Sequence, residues 1–213
     1  MEMGRLINGV LNFCRWITHF AILNLLWIGC TLLGGVVFGI GPSTVAMYAV
    51  TRKAVMGVED LPLIRSFWDT YRKEFFRANG LFFSLAGFVL LWYVDLHFFR
   101  QMEGTIYTII QYLLMLMGFV LIILLTYILP VYVHYDLKFF QTFKQALFIG
   151  FLQPGNLVLM IVATLSTYYF FISFPGFIPL FGFTLFVHLN MWLAYKGFSS
   201  IDDIKLKNEL IHN

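Results

Sequence analysis

The sequence predicts an all-α integral membrane protein: a single membrane domain over residues 1–213, with five transmembrane helices and amphipathic interfacial elbow helices. The 213-residue chain is 60% hydrophobic and 12% charged, whereas about a quarter of the residues in soluble domains are charged. Four stretches contain no Asp, Glu, Lys or Arg: 16–51, 78–94, 104–135 and 145–195. So few charged side chains cannot cover a core against water, and lipid must therefore be the solvent for most of the chain.

Five transmembrane spans follow from the lengths of the apolar runs. A helix needs roughly 20 apolar residues to cross the hydrocarbon core of a bilayer. The first run ends where glycine and proline gather at 39–42, and the last run is divided by Phe174-Pro175-Gly176. The predicted spans are 17–39, 79–99, 105–133, 156–174 and 177–195. The main alternative adds a sixth span at 43–57, but this would place Arg52 and Lys53 in lipid at a high energetic cost.

Two segments between the spans are predicted to be cytoplasmic elbows, 43–77 and 134–155. In the first elbow, Ser43 can cap a short helix that Gly57 ends. A second helix over 62–77 carries charged residues on some faces and aromatic residues on another, namely Phe67, Trp68, Tyr71 and Phe75. This pattern is typical of a helix that lies at the level of the lipid headgroups.

The cations of the first elbow form a candidate docking surface for a cytoplasmic protein: Arg52, Lys53, Arg65, Arg72 and Lys73. The alternative is a membrane-surface elbow with no specific protein partner, because cationic amphipathic helices are common beside anionic lipid. Membrane lipid is a partner under both interpretations. The chain has no basic run of the kind that binds nucleic acid, so nucleic acid is not an expected partner.

The elbows also contain two similar segments. FWDTYR at 67–72 and FFQTFK at 139–144 share the order aromatic, aromatic, any residue, Thr, aromatic, basic, at an offset of 72 residues. A duplication of helix-elbow-helix units would explain the match, and so would convergence on the same interfacial chemistry. The sequence leaves both explanations open.

The distribution of cations predicts the orientation in the membrane. With both elbows inside, 11 of the 14 Lys and Arg residues lie on the cytoplasmic side, in agreement with the positive-inside rule. This places the N-terminus outside and the C-terminus in the cytoplasm.

Polar residues within the spans are candidate functional residues, because burying them in lipid is costly. Four of them lie toward the outer side in the predicted topology and could line an outward-facing polar pocket: Asn24, Asp95, His97 and Gln111. The alternative for Asp95 and His97 is that these side chains simply reach headgroup water from the end of a helix.

No motif with a committed chemistry occurs in the chain. It lacks His-Glu-x-x-His, Gly-x-Ser-x-Gly, a phosphate-binding Gly-x-x-x-x-Gly-Lys and paired carboxylates within one span. Cys14 and Cys30 are assigned neither to a disulfide nor to a metal site. We therefore expect no cofactor and no enzyme. An accessory protein that acts through protein contacts is the leading hypothesis, and a small-molecule permease or channel that uses the outward pocket is the alternative.

Several stretches resemble one family of membrane proteins. The residues that carry the likeness are GPSTVAMYAVTRK at 41–53, Gly57, Glu59-Asp60, FWDTYRKEF at 67–75, Pro130 to Leu137 and Gln153-Pro154. With these residues the chain resembles the YesL family of bacterial membrane proteins, and the likeness extends over nearly the whole sequence.

The resemblance implies a small multi-pass protein of the bacterial plasma membrane, of uncharacterised biochemistry. Genes of this family often stand beside those of carbohydrate-uptake ABC transporters and polysaccharide-degrading enzymes. It therefore implies carbohydrate uptake as the context, with ABC transporter subunits or another membrane protein as partners and a sugar as the substrate of the alternative permease. No catalytic or binding residues are established for the family, so the resemblance assigns none to this chain.

Overall fold

The computed structural model describes residues 2–58 and 61–212, with side chains described for residues 9, 11, 14–58 and 61–202. Glu59 and Asp60 of the family-like stretch lie outside the described residues. The described chain forms seven α-helices and contains no strand: α1 Glu2–Leu33, α2 Ile40–Val55, α3 Leu63–Phe99, α4 Thr105–His134, α5 Phe139–Leu152, α6 Pro154–Ser173 and α7 Ile178–His212. Within this part, five helices are long and apolar enough to cross a membrane. The predicted all-α membrane bundle is confirmed.

The connection between α1 and α2 differs from the predicted end of the first span. Helix α1 ends at Leu33, six residues before the predicted end at residue 39, because Gly35 and Val36 adopt positive φ angles of 69° and 64°. A left-handed residue cannot continue a right-handed helix. Pro42 starts a helix instead of stopping one, since it lies in the first turn of α2, where its missing N–H has no intrahelical partner to lose.

Helix α2 lies inside the bundle, and this is the largest difference from the predicted surface elbow. It packs against α1, α3, α4 and α7, and ten of its residues are buried: Gly41, Pro42, Ser43, Thr44, Val45, Ala46, Met47, Tyr48, Val50 and Thr51. Most of these side chains are small, which allows the neighbouring helix backbones to approach closely. At its start, a Cβ on Gly39 would collide with the backbone of Thr31 in α1.

Helix α3 is one continuous helix where the sequence predicted an elbow helix followed by a span. Its 37 residues rise about 55 Å, well beyond a hydrocarbon core of about 30 Å. The charged residues before residue 78 do not stop the helix, since a charged side chain breaks no backbone hydrogen bond. Phe67 and Tyr71 are buried in the bundle, and the Tyr71 hydroxyl donates a 3.1 Å hydrogen bond to the Cys30 carbonyl. These two rings are therefore part of the core, where the sequence predicted rings on a lipid-facing surface.

The second half of the chain follows the prediction closely. Helices α4 and α6 lie within two residues of the predicted spans 105–133 and 156–174. The predicted elbow 134–155 contains α5, which packs mainly on α4 through the buried residues Thr142, Ala146, Ile149 and Gly150. Helix α7 follows a short 3-10 turn at Pro175–Phe177 and continues to His212, past the predicted end at 195.

The two similar aromatic segments occupy different places. Segment 67–72 belongs to the first turns of α3, whereas segment 139–144 begins the short helix α5. The elements that occupy comparable places in the chain are the short helices α2 and α5, each of which separates two long helices. Helix α2 separates α1 from α3, and α5 separates α4 from α6.

Candidate functional site

Side-chain contacts gather the ends of four helices at one end of the bundle. The Arg52 Nε at the end of α2 donates to the Nδ1 of His134 at the end of α4, over 3.2 Å. The Tyr132 hydroxyl donates to the Glu74 carboxylate of α3 over 2.7 Å. The His134 ring also lies 4.7 Å from the Phe198 ring of α7. We call this end, formed by residues 52–58, 61–77, 132–138 and 196–202, the cationic end.

The cationic end carries most of the predicted docking surface. Lys53, Arg65, Arg72 and Lys73 are exposed there, and we call these four residues the docking surface. Arg65 lies 3.9 Å from Asp69, with both side chains mostly exposed, so this ion pair contributes little stability. Within the part of the chain that the structure describes, the other three cations form no ion pair.

Arg52 does not belong to that surface. Its side chain is half-buried and its Nε is engaged by His134. Because a guanidinium can only donate, the His134 Nδ1 must present its lone pair. The rings of Tyr135, Tyr195 and Phe198 surround this histidine, with centroids within 5.9 Å of its own. Arg52 is therefore a packing residue that joins α2 to α4.

Tyr135 follows the last residue of α4, and its ring contacts the rings of His134 and Phe198. Burial raises the pKa of the Tyr135 phenol above its ordinary value, and the nearby Asp202 carboxylate raises the pKa further. A phenol with its ordinary pKa of about 10 is already protonated at neutral pH, and a raised pKa leaves it so, so Tyr135 adds no charge to the cationic end.

Sequence reasoning missed His134, Glu74 and Tyr132 as members of this end. Their partners lie far away in the chain: Arg52 and His134 are 82 residues apart, and Glu74 and Tyr132 are 58 apart. The available signal was the family-like stretches, since Glu74 falls in 67–75 and both Tyr132 and His134 fall in 130–137. Because the partners lie on different helices, the spacing of residues along one helix could not predict these contacts.

Asn24, predicted to line an outward polar pocket, joins two helices. Its Nδ2 donates to the carbonyl oxygens of Ile178 and Pro179, at 3.1 and 2.7 Å. Its Oδ1 accepts from the backbone N–H of Phe183, over 3.1 Å. All three partners lie in the first turns of α7, so the polar atoms of Asn24 serve the packing of α1 on α7.

The other three predicted pocket residues lie at the far end of α3 and α4. Gln111 donates from Nε2 to the Phe99 carbonyl over 2.7 Å, which ties α4 to the end of α3. Asp95 and His97 are exposed, and the His97 ring stacks on Tyr93. The structure therefore brings Gln111 to the end of α3 but engages Asn24 elsewhere, and the four residues do not line one polar pocket.

A cavity lined by residues that the structure describes is apolar. It has a volume of about 510 Å³ and lies between α2, α3 and α4; we call it the apolar groove. Its lining is Gly41, Thr44, Val45, Ala78, Leu81, Phe82, Leu85, Ala86, Val89, Leu90, Trp92, Tyr93, Leu125, Ile128 and Leu129. Two of its polar groups are already bonded: the Thr44 hydroxyl accepts from Trp27, and the Trp92 indole donates to the Leu114 carbonyl.

Metal-binding and redox features are few in the described residues. No group of three or more His, Cys, Asp or Glu side chains that could hold a metal ion occurs among them. Cys14 is exposed, Cys30 is buried, and both are free thiols.

The fold and these contacts define a multi-pass helical membrane protein whose intramembrane polar side chains mostly join helices to one another. The chain belongs to a family described as "Protein of unknown function, DUF624", which matches residues 20–96. The resemblance to YesL-like proteins is thereby confirmed.

Three relatives of Bacillus subtilis (strain 168) are similar over most of their length. "Uncharacterized protein YteU" is 34% identical over 197 residues, covering 92% of this chain and 87% of the relative. "Uncharacterized protein YesV" is 36% identical over 189 residues, covering 89% and 91%. "Uncharacterized protein YesL" is 29% identical over 203 residues, covering 95% of each. No solved structure matches the chain.

The family match coincides with the centre of the bundle. Residues 20–96 comprise the second part of α1, all of α2 and most of α3. This region holds the buried stretch 41–48 together with the exposed docking surface. The match therefore covers packing residues as well as the candidate site.

Proposed function

We propose that this protein is an accessory or regulatory component of carbohydrate uptake in the bacterial plasma membrane, and that it acts by binding another protein at the docking surface. The observation that carries the proposal is the contrast between the two kinds of polar residue. Exposed cations gather at one end without strong partners among the described residues, while Asn24 and Gln111 use their polar atoms in contacts between helices.

The geometry of the docking surface suits a protein partner with acidic groups. Arg65 and Arg72 are seven residues apart on one helix and so lie on the same face of α3. Lys73 follows directly, and Lys53 stands at the end of the neighbouring α2. Complementary charge of this kind steers association and fixes orientation. We propose transporter subunits, or another membrane protein, as the partner.

The alternative, a sugar permease, receives less support. A sugar needs many hydrogen bonds to replace its water, because unpaired polar groups are costly to bury. The apolar groove offers mostly carbon to a bound molecule, and Asn24 is occupied by α7. We likewise propose that the protein is not an enzyme, on the lack of any catalytic motif in the sequence.

We propose further that the cationic end faces the cytoplasm. The docking surface together with Arg77, Lys138 and Lys196 gives this end an excess of cations, which the positive-inside rule associates with the cytoplasmic side.

The C-terminus inside remains a prediction from the cation count. The N-terminus outside, also predicted from that count, does not fit the packing: Thr31 and Trp27 of α1 meet Gly39 and Thr44 of α2, so α1 runs antiparallel to α2. Because α2 ends at the cationic end, α1 begins toward that same end.

The test is charge reversal at the docking surface, with Arg72→Glu combined with Lys73→Glu. The accessory function predicts loss of sugar-dependent growth and loss of co-purification with a transporter subunit. Each lost cation also weakens attraction to anionic lipid by about 1 kcal/mol. Protein level in the membrane must therefore be matched before the comparison.

The control variant is Lys138→Glu combined with Lys144→Glu, which makes the same charge change on exposed residues at and just beyond the start of α5. It should keep both growth and co-purification if docking depends on the named surface. Equal loss in both variants would mean that bulk charge, and not this surface, matters. Sugar flux through liposomes that contain the purified protein alone would replace the accessory function with the permease.

A further inference from the structure

We propose that the apolar groove holds one acyl chain of a membrane glycerophospholipid, whose phosphate is bound by His97 and Arg100 at the end of α3. This site lies away from the docking surface and does not depend on the proposed function.

The dimensions of the groove suit an acyl chain. Its α3 wall extends from Ala78 to Tyr93, a rise of about 22 Å for fifteen residues. One leaflet of the hydrocarbon core is about 15 Å deep, half of the full thickness. The groove is also open to lipid at its rim, where Leu90, Tyr93 and Leu125 are exposed. A chain can therefore enter sideways from the bilayer.

A polar mouth continues the groove at the end opposite the cationic end. Ala86, Tyr93, His97 and Arg100 follow one another at intervals of seven, four and three residues along one face of α3. Arg100 still belongs to the last helical turn, because its N–H donates to the Leu96 carbonyl. Helical side chains lean toward the N-terminus of their helix, so those of His97 and Arg100 lie over the turn that leads back to Tyr93.

The charge at this mouth matches a lipid phosphate. Arg100 is the one Lys or Arg in the sequence between residues 78 and 137. Asp95 is two residues from Tyr93 and so points to nearly the opposite face of the helix; Glu103 comes after the helix has ended. A guanidinium and an imidazole can together donate charge-assisted hydrogen bonds to phosphate oxygens. An amphiphile with one charged head and a long apolar tail fits this combination.

The test compares lipid retention by native mass spectrometry of the full-length protein. The added lipids share the same acyl chains: phosphatidylglycerol, phosphatidylethanolamine and diacylglycerol, which has no phosphate. We expect the first bound molecule of either phospholipid to be retained about tenfold more than diacylglycerol, as charge-assisted hydrogen bonds would give. Equal retention of diacylglycerol would overturn the phosphate site.

Two matched variants test the groove itself. Ala86→Phe places a ring in the groove, whereas Gly87→Phe adds the same ring at a position with no atom within 4 Å of the added Cβ. We expect about tenfold lower phospholipid retention for the first and wild-type retention for the second. Unchanged retention by Ala86→Phe would place the lipid elsewhere.

A third variant tests phosphate binding separately from acyl-chain binding, and it changes no buried residue. Arg100→Gln combined with His97→Gln changes only exposed side chains, so we expect the variant to fold and to unfold at the wild-type temperature. We expect it to lose the preference for phospholipid over diacylglycerol while Ala86 and the groove stay intact. A preserved preference in this variant would show that these two residues do not bind the phosphate.

Discussion

The two short helices α2 and α5 contrast in a way that the hydropathy of their sequences does not predict. Ten of the 16 residues of α2 are buried, against four of the 14 residues of α5. Yet α5 contains five phenylalanines and α2 contains none. Phe140, Phe148 and Phe151 are exposed on the outside of the bundle. The helix with the larger apolar side chains thus lies at the periphery.

The physical reason is that lipid is as apolar as the protein interior. The hydrophobic effect therefore does not favour one helix over another for the interior of the bundle. Small and hydroxyl residues favour an interior position instead, because they permit close approach of helix backbones and hydrogen bonds between helices. Gly41, Ser43, Thr44 and Ala46 give α2 this character. Hydropathy therefore shows which segments enter the membrane, and residue size shows which of them lie inside.

The largest effect is expected where α2 begins. Gly39→Ala should destabilise the protein by about 3 kcal/mol, because the new Cβ would collide with the backbone of Thr31, which cannot move cheaply. Gly150→Ala in α5 should cost less, about 1.5 kcal/mol, since its Cβ would meet the Cγ2 methyl of Ile123, a side-chain atom that rotation about χ1 can move, and no backbone atom. Thermal unfolding in detergent measures both, and equal costs would contradict the central position of α2.

A smaller difference should separate two fully buried alanines. Ala46 in α2 and Ala146 in α5 are both inaccessible. Ala46→Leu should cost about 2 kcal/mol, because helices surround α2, whereas Ala146→Leu should cost about 1 kcal/mol, because α5 can shift outward. Titration with a denaturing detergent gives the two midpoints. A larger loss for the α5 variant would reverse the comparison.

Substitution of the two neighbouring cations of α2 should have different effects on stability, because one side chain is half-buried and the other is exposed. Arg52→Ala removes the hydrogen bond to His134 and should cost about 1.5 kcal/mol. Lys53→Ala changes an exposed side chain and should stay within about 0.5 kcal/mol of the wild type. Unfolding midpoints of the pair provide the check. Equal midpoints would show that the hydrogen bond of Arg52 does not stabilise the fold, and Arg52 would then count as a member of the docking surface.

The smallest effect concerns two threonines. Thr44→Val leaves the Trp27 indole without its acceptor and should cost about 1 kcal/mol. Thr142→Val removes only a 3.3 Å bond to the Lys138 carbonyl within one turn of α5 and should cost less than about 0.5 kcal/mol. The fluorescence of Trp27 should change with the first variant only. A similar response to both would argue against a specific bond between α1 and α2.

Much of the fold could be predicted, because long apolar runs define spans directly. The predicted 105–133 and observed Thr105–His134 differ by one residue. The end of α1 could not be predicted, because it depends on Val36, a β-branched residue at a positive φ that such residues rarely adopt. The continuity of α3 could not be predicted from hydropathy, because the change from charged to apolar side chains after residue 77 interrupts no backbone hydrogen bond.

Less of the candidate site could be predicted. The exposure of cations such as Arg72 and Lys73 could be predicted, since charged side chains are more stable in water than in lipid. The different roles of Arg52 and Lys53 were beyond the sequence, because His134 becomes a neighbour only when α2 and α4 pack together. The hydrogen bonds of Asn24 could not be predicted for the same reason: its partners belong to α7.

The central claim is that the cationic end faces the cytoplasm, where a partner can dock. Single cysteines at Lys73→Cys and Glu103→Cys, in a background with Cys14→Ser and Cys30→Ala, test it with a membrane-impermeant thiol reagent. The account predicts that the cysteine at 73 reacts only after the cells are permeabilised, while the cysteine at 103 reacts in intact cells. Reaction at 73 in intact cells, with protection at 103, would contradict it.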